Sequence, residues 1–379
     1  MRKVFKFLHL WLGLLSDIVV VVVCLTGGLY AFKDELSAIG EPWRHVEVRE
    51  AHFLKPSVLL AAAGRMVDGE QPLAITYGQP DEAACIDYAA ADGRRTTVYL
   101  DPYTAQVLHL SITQPGDFKF FDFLLDGHRR LWLPQPWGQQ VVSYGVLLFL
   151  VTLITGLVVW YPRRWTRKAV KSHFTLHRPF NARRLVFDLH SVVGFYVLLP
   201  LVVASFTGLV FAFGWFSSGV FRLVSGGKPY VAYEMPSTDT TQVAGTPQPL
   251  DAVYARLTKE EPHAVQFYYA LPQASSDVYR VSIVHEKDSY YKQDNRFFDA
   301  RTAAELQGNG IYAGKYREKS SAEQLMRMSL DLHEGRVLGL FGRIVMLLAS
   351  LVGASLPVTG LMLYLRRKQP KGTGPQKSV

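Results

Sequence analysis

The 379-residue chain is 49% hydrophobic, with a mean hydropathy of +0.08 and a formal net charge of +9; this excludes a disordered chain, and the polar remainder excludes a bundle of membrane helices alone. Positions 162–189 hold eight Lys/Arg against one acid, the first nine residues three Lys/Arg and the tail from Arg366 five, so these segments carry +15 and everything else −6. Basic residues that border apolar runs mark the inner flank of membrane spans, which excludes nucleic acid as the reason for a pI near 9.4.

In chain order, a short N-terminus (1–9) leads into a first apolar span at 10–32. Arg2-Lys3-Val-Phe-Lys6 has the look of a signal-peptide n-region, but the apolar run exceeds the roughly 7–15 residues of an h-region and no small-x-small site follows. Val21-Val22-Val23-Cys24 also lacks the small residue expected before a lipidated cysteine, so the segment reads as a retained anchor. A first insert (33–139) offers a helix after Pro56, strands at 73–77, 85–88 and 97–100, and a turn Asp101-Pro-Tyr-Thr104-Ala. Span two (140–161), a basic loop (162–189) and span three (190–215) follow. The second insert (216–339) repeats the first: a helix after Pro249, strands at 265–269, 278–284 and 296–298, and a turn Asp299-Ala-Arg-Thr302-Ala. Span four (340–365) and a tail (366–379) complete the chain. Each apolar run has the ~20 residues needed to cross hydrocarbon. Short Lys/Arg-rich segments stay inside, so both termini and the middle loop are expected to be cytoplasmic and both inserts extracytoplasmic. The expected fold is an α-helical membrane bundle of four transmembrane helices, internally duplicated, with two α+β domains that each stand on a helix pair.

Four histidines give this framework its chemistry. His9-Leu-Trp-Leu-Gly13 is followed seventeen residues after its histidine by Thr26-Gly27, and His190-Ser-Val-Val-Gly194 at the same interval by Thr207-Gly208. His128 precedes Thr155-Gly156 by twenty-seven residues, and His333 precedes Thr359-Gly360 by twenty-six. His9 and His190 then share the cytoplasmic face, His128 and His333 the periplasmic one. Neutral imidazole is a strong iron ligand, and two facing helices can clamp one macrocycle. The pairs His9/His190 and His128/His333 therefore predict two haem groups, with irons on the order of 20 Å apart from helix rise and core thickness. The only cysteines are Cys24 and Cys85, and no Cys-x-x-Cys-His occurs, so both groups should be non-covalent haem b. Gly13 and Gly194 leave room for a porphyrin face or for close helix packing.

Two αβ inserts that close on Asp-x-x-Thr, interleaved with four spans bearing His-x-x-x-Gly and Thr-Gly, resemble the PepSY-associated transmembrane helix family. Within it the chain is most similar to the bacterial inner-membrane ferric-siderophore reductases. The resemblance covers nearly the whole chain, the last ten residues or so apart. It implies two PepSY-like domains and haem-dependent electron transfer from cytoplasm to periplasm during iron uptake. The expected activity is that of a membrane-bound bis-haem oxidoreductase, a ferric-chelate or ferrisiderophore reductase.

Propionates need cations. Arg129, Arg130 and Arg336 adjoin the outer histidines, and Lys3, Lys6, Arg183 and Arg184 the inner ones. Arg343 and Asp17 lie within spans, where charge is costly; Arg343 is a propionate neighbour or snorkels, and Asp17 either orients a ligand or tunes a haem from the outer shell or has a structural partner on another helix. His173 and His177 read as solvated-loop residues, and His109, His263 and His285 lack metal-ligand spacing. Paired tyrosines (Tyr268-Tyr269, Tyr290-Tyr291) are explained by strand propensity as well as by a substrate. No nucleotide-binding fingerprint or nucleophile elbow is present. A separate flavin, flavoprotein or quinol must therefore donate electrons, and a ferric siderophore accept them. The rival expectation is a non-enzymatic envelope protein whose PepSY domains bind or modulate a protease or peptide.

Overall fold

The computed structural model describes residues 1–177, 181–239, 241, 245 and 247–368. In chain order its main elements are α1 (Arg2–Tyr30), α2 (Pro56–Ala63), β1 (Gln71–Tyr77), β2 (Ala84–Ala89), β3 (Arg95–Leu100), β4 (Val107–Thr113), α3 (Phe120–Arg130) and α4 (Trp137–Trp160). Then come α5 (Arg167–Phe174), α6 (Ala182–Asp188), a π-helical turn (Leu189–Val193) and α7 (Leu198–Ala212). The remainder is α8 (Pro249–Glu260), β5 (Gln266–Ala270), β6 (Val278–Val284), β7 (Asp294–Asp299), β8 (Glu305–Leu306), α9 (Ser321–Arg327), α10 (Ser329–Glu334) and α11 (Gly339–Lys368). The chain divides into a helical unit (1–33, 119–217 and from Leu332 onward) and a sheet unit (34–118 and 218–331).

In the helical unit, α1 packs on α4 and α11, and α4 packs on α7. Val20, Phe149, Leu153 and Leu201 close the centre. On the opposite face of α1, Trp11, Leu15, Ile18, Leu25 and Leu29 are exposed. Their spacing of three, four and seven residues makes one apolar stripe, and a stripe of that length left uncovered is stable against lipid rather than water. Among the described residues three helical stretches, Arg2–Tyr30, Trp137–Trp160 and Arg336–Arg366, are long and apolar enough to cross a membrane. A fourth crossing exists only if Arg184–Tyr196 and Leu198–Ala212 count as one span, because they meet at 63°. Pro200 explains the break: its ring displaces the carbonyl four residues back, at Tyr196, and it has no N–H to offer. The unbroken third helix expected from hydropathy is thus corrected to a bent helix pair.

The sheet unit is built from both inserts. All eight strands pair antiparallel in the order β4-β3-β2-β1-β5-β6-β7-β8. The join is β1 to β5, with Ile75 opposite Tyr269 and Tyr77 opposite Phe267. The two inserts were expected to stand as separate domains; they share one sheet and one core instead. Left apart, β1 and β5 would each present an unpaired edge, and pairing satisfies both ladders. On the common face, α2 and α8 cover Ile75, Ile86, Val98 and Leu100 together with Tyr269, Val281, Ile283 and Phe298. The Asp251 carboxylate on α8 accepts from Ser57 N at 2.9 Å and Ser57 Oγ at 2.6 Å, capping α2 across the join. The Asp-x-x-Thr turns do not end the inserts. Each is a hairpin into a further strand, β4 or β8, with Ala105 and Ala303 both at φ 60° and matching bonds from Ala105 N to Asp101 O and from Ala303 N to Asp299 O.

Candidate functional site

The histidines pair as their spacing predicts. The rings of His9 and His190 lie 6.1 Å apart, centre to centre, and those of His128 and His333 lie 5.9 Å apart. Their positions differ from the helix mouths expected. His9 stands two turns inside α1, His190 sits in the π turn, and His128 and His333 occupy the last turns of the short helices α3 and α10. Both short helices turn sharply into their spans, through Leu131 (φ 54°) and Gly335 (φ 81°).

One local rule orients all four rings. His9 Nδ1 lies 3.0 Å from Thr152 O, His128 Nδ1 2.9 Å from Val23 O, His190 Nδ1 3.1 Å from Leu356 O and His333 Nδ1 3.0 Å from Ala204 O. Each carbonyl stands three residues before the threonine of a Thr-Gly pair: Thr155, Thr26, Thr359 and Thr207 in turn. A carbonyl only accepts, so Nδ1 of each neutral ring donates and the lone pair is left on Nε2. The glycine lets the ring come close. A Cβ at Gly27 would stand 2.5 Å from His128 Cε1, and one at Gly156 2.9 Å from His9 Cε1. The Gly360–His190 and Gly208–His333 approaches are looser, at 3.2 and 3.4 Å. In those two, Thr359 and Thr207 add their hydroxyls 3.0 Å from Nδ1. Fixing Nδ1 in this way sets both the tautomer and the orientation that a metal-binding imidazole needs.

The spacing fits an iron held from both sides. A metal–imidazole bond of about 2 Å on each side, plus about 1 Å from nitrogen to ring centre, separates the centres by about 6 Å. Among the described residues no group of three or more His, Cys, Asp or Glu is placed to hold a bare metal ion. Two axial imidazoles suffice only where the remaining positions come from a macrocycle. Around His9 and His190 there is a cavity of about 440 Å³, lined chiefly by α1, α4, the π turn and α11, within the size range of cofactor sites. Gly13 and Gly194 line it, yet their nearest neighbours, Thr152 Cγ2 at 3.6 Å and Leu356 Cδ2 at 3.2 Å, also make them helix-packing positions.

The charged candidates divide. Lys6 and Asp17 line the cavity; Lys3 is exposed. Arg2, which sequence reasoning passed over, lines it too and donates to Val159 O at 2.7 Å. Arg129 is exposed, and Arg130 pairs with Asp126. Arg336 is buried against Glu334. Arg343 is buried, donates to Ala31 O at the end of α1 and lies over the Phe32 ring at 4.8 Å. It caps an orphan helix carbonyl, that of Ala31. The Arg183 side chain and the tail beyond Lys368 lie outside the described residues. Of the two loop histidines, only His173 departs from expectation; the His177 side chain is 39% exposed. His177 sits 3.1 Å from Asp188, which is itself 1% exposed and held by Arg184 at 2.8 Å. His173 lines the cavity, edge-on to Trp160. In the sheet unit His109 stacks on Trp43 at 3.7 Å and His285 bonds Asp294 at 2.9 Å, so both have local partners.

Long apolar helices with an uncovered stripe, joined in one chain to an antiparallel sheet unit, define a multi-pass helical membrane protein with a β-containing domain. A family model described as the PepSY-associated TM region matches residues 7–367, and the chain belongs to that family. No curated protein matches it.

Proposed function

We propose that the protein is a haem-dependent transmembrane oxidoreductase that passes electrons from a cytoplasmic donor to ferric iron in a periplasmic siderophore chelate, releasing iron for uptake. The observation that carries this reading is the fourfold rule above: four histidines, each with Nδ1 on the carbonyl before a Thr-Gly pair and Nε2 free, in two facing pairs. Chance packing has no reason to repeat that arrangement four times. The reading makes the chain an internal duplication with four spans, the third of them bent, and places both termini and the basic 162–189 loop inside an inner membrane.

His9 and His190 would hold one haem b, and His128 and His333 the other; bound haem supplies a one-electron couple. The chain's residues do the rest. The carbonyls of Thr152, Val23, Leu356 and Ala204 fix the rings, Arg2 and Lys6 supply cations at the inner cavity for propionates, and the apolar plug of Val20, Phe149, Leu153 and Leu201 excludes water between the layers. Reduction weakens hard-oxygen chelation, since such ligands favour the more highly charged ion. The donor is a reduced flavin, flavoprotein or quinol, because the chain has no nucleotide fingerprint of its own.

The test is haem stoichiometry and its loss. Detergent-purified, haem-replete protein should give two low-spin haem b per chain in a pyridine haemochrome assay. His333→Ala should retain one haem that an inside donor reduces, while reduction of a ferric siderophore outside proteoliposomes collapses. Protein without haem would overturn the reading.

A further inference from the structure

On α1, the residues that line the inner cavity run from Arg2 through Lys6, His9, Gly13 and Asp17 to Val20. At 1.5 Å per residue, Asp17 lies about 20 Å from either end of this helix, at mid-span, where a fixed charge is costly. It is the one carboxylate among the described lining residues. No hydrogen bond or ion pair reaches it among the described residues, which sets it apart from Asp188, Asp126 and Glu334, all paired. The titratable groups that share its cavity are Arg2, Lys6 and His9 on α1, His173 on α5, His190 in the π turn and Tyr364 on α11. The cations stand near the Arg2 end, three to four helical turns away.

Resting on the proposed haem at His9 and His190, we propose that Asp17 is a proton-accepting residue that takes up one proton for each electron entering the inner layer. With ferric iron bound, the iron–porphyrin core, its propionates apart, would carry one net positive charge, and the carboxylate would have a counter-charge across the low-dielectric cavity. One electron from the donor cancels that charge. The carboxylate is then alone at mid-span, and protonation from the Arg2 end of the cavity neutralises it: one electron and one proton enter, and the carboxylate becomes the acid. On reoxidation both leave. Asp17 thus sets the inner potential in a pH-dependent way, with no direct contact to the ligands.

Spectroelectrochemical titration of the haem-replete full chain from about pH 6 to pH 8 tests this. One of the two haems should shift tenfold in its equilibrium per pH unit, about 59 mV for one electron, and the other should stay flat. Asp17→Asn should abolish the slope and Asp17→Glu should keep it. Redox-difference infrared spectra should show a protonated-carboxyl band on reduction of the unaltered chain, absent in Asp17→Asn. Two haems with pH-independent potentials, or a slope that survives Asp17→Asn, would overturn this inference alone. A chain that binds no haem overturns the proposed function, and this inference with it.

Discussion

His128 and Gly27 meet across more than a hundred residues, and their closeness makes the site sensitive to one methyl group. A Cβ at Gly27 would have to displace the His128 ring, whereas at Gly208 it would only touch His333. Gly27→Ala should therefore lower the outer haem content severely, through overpacking on the order of 1–3 kcal/mol, and Gly208→Ala should leave it nearly intact. Haemochrome assays and low-temperature spectra of the two variants make the comparison; equal effects would mean that the glycines do not seat the rings. At this scale the histidines were legible because their spacing repeats. The use of each Thr-Gly pair was not, since His9 finds its carbonyl 143 residues away, on another helix. Arg2 was hidden for a related reason: a basic N-terminus is already explained by topology.

Among the elements, the strand β7 shows how the second half of the sheet is secured. Arg296, 3% exposed on that strand, lies 2.6 Å from both Glu260 of α8 and Glu305 of β8. Burial works against both carboxylates, but hydrogen bonds and charge outweigh it and hold them below the ordinary 4.5: Arg256 and then Arg296 for Glu260, and chiefly Arg296 for Glu305. Groups with depressed folded values stabilise the fold fully above the unfolded value and lose that contribution as pH falls through the folded one. Acid unfolding of the sheet should thus begin below about pH 4.5. Arg296→Met should move its onset to higher pH and cost on the order of 2–3 kcal/mol at neutral pH, below the full penalty for a buried pair because both glutamates are a third exposed. Far-UV circular dichroism of the detergent-solubilised protein follows both; an unchanged acid profile would show that the trio does not govern acid stability. Alternation located six of the eight strands to within about two residues, as expected of half-buried segments. It missed β4, which buries neither face fully, and β8, which is only two residues long. It also could not show that β1 and β5 are neighbours, because edge pairing between distant segments leaves no local trace. The bend in the third apolar run was equally out of reach: Pro200 and Pro357 look alike in sequence, yet the first stands in the first turn of α7 beside the break and the second inside α11.

For the molecule as a whole, the alternation of apolar runs and polar inserts was legible from charge and length alone, because both are set by the bilayer. What pattern could not supply is which half touches which. Every carbonyl that orients a histidine belongs to the same half as that histidine: Thr152 and Val23 serve His9 and His128, while Leu356 and Ala204 serve His190 and His333. Every histidine pair, and the β1–β5 join, runs between halves. The facing surfaces of the two halves are thus expected to carry the assembly without a covalent link between them. Two separately encoded polypeptides, 1–177 and 178–379, should come together in one membrane and recover the two-haem spectrum when co-expressed, while either alone yields none. In that outcome the paired surfaces, and not the covalent link, would hold the two halves together.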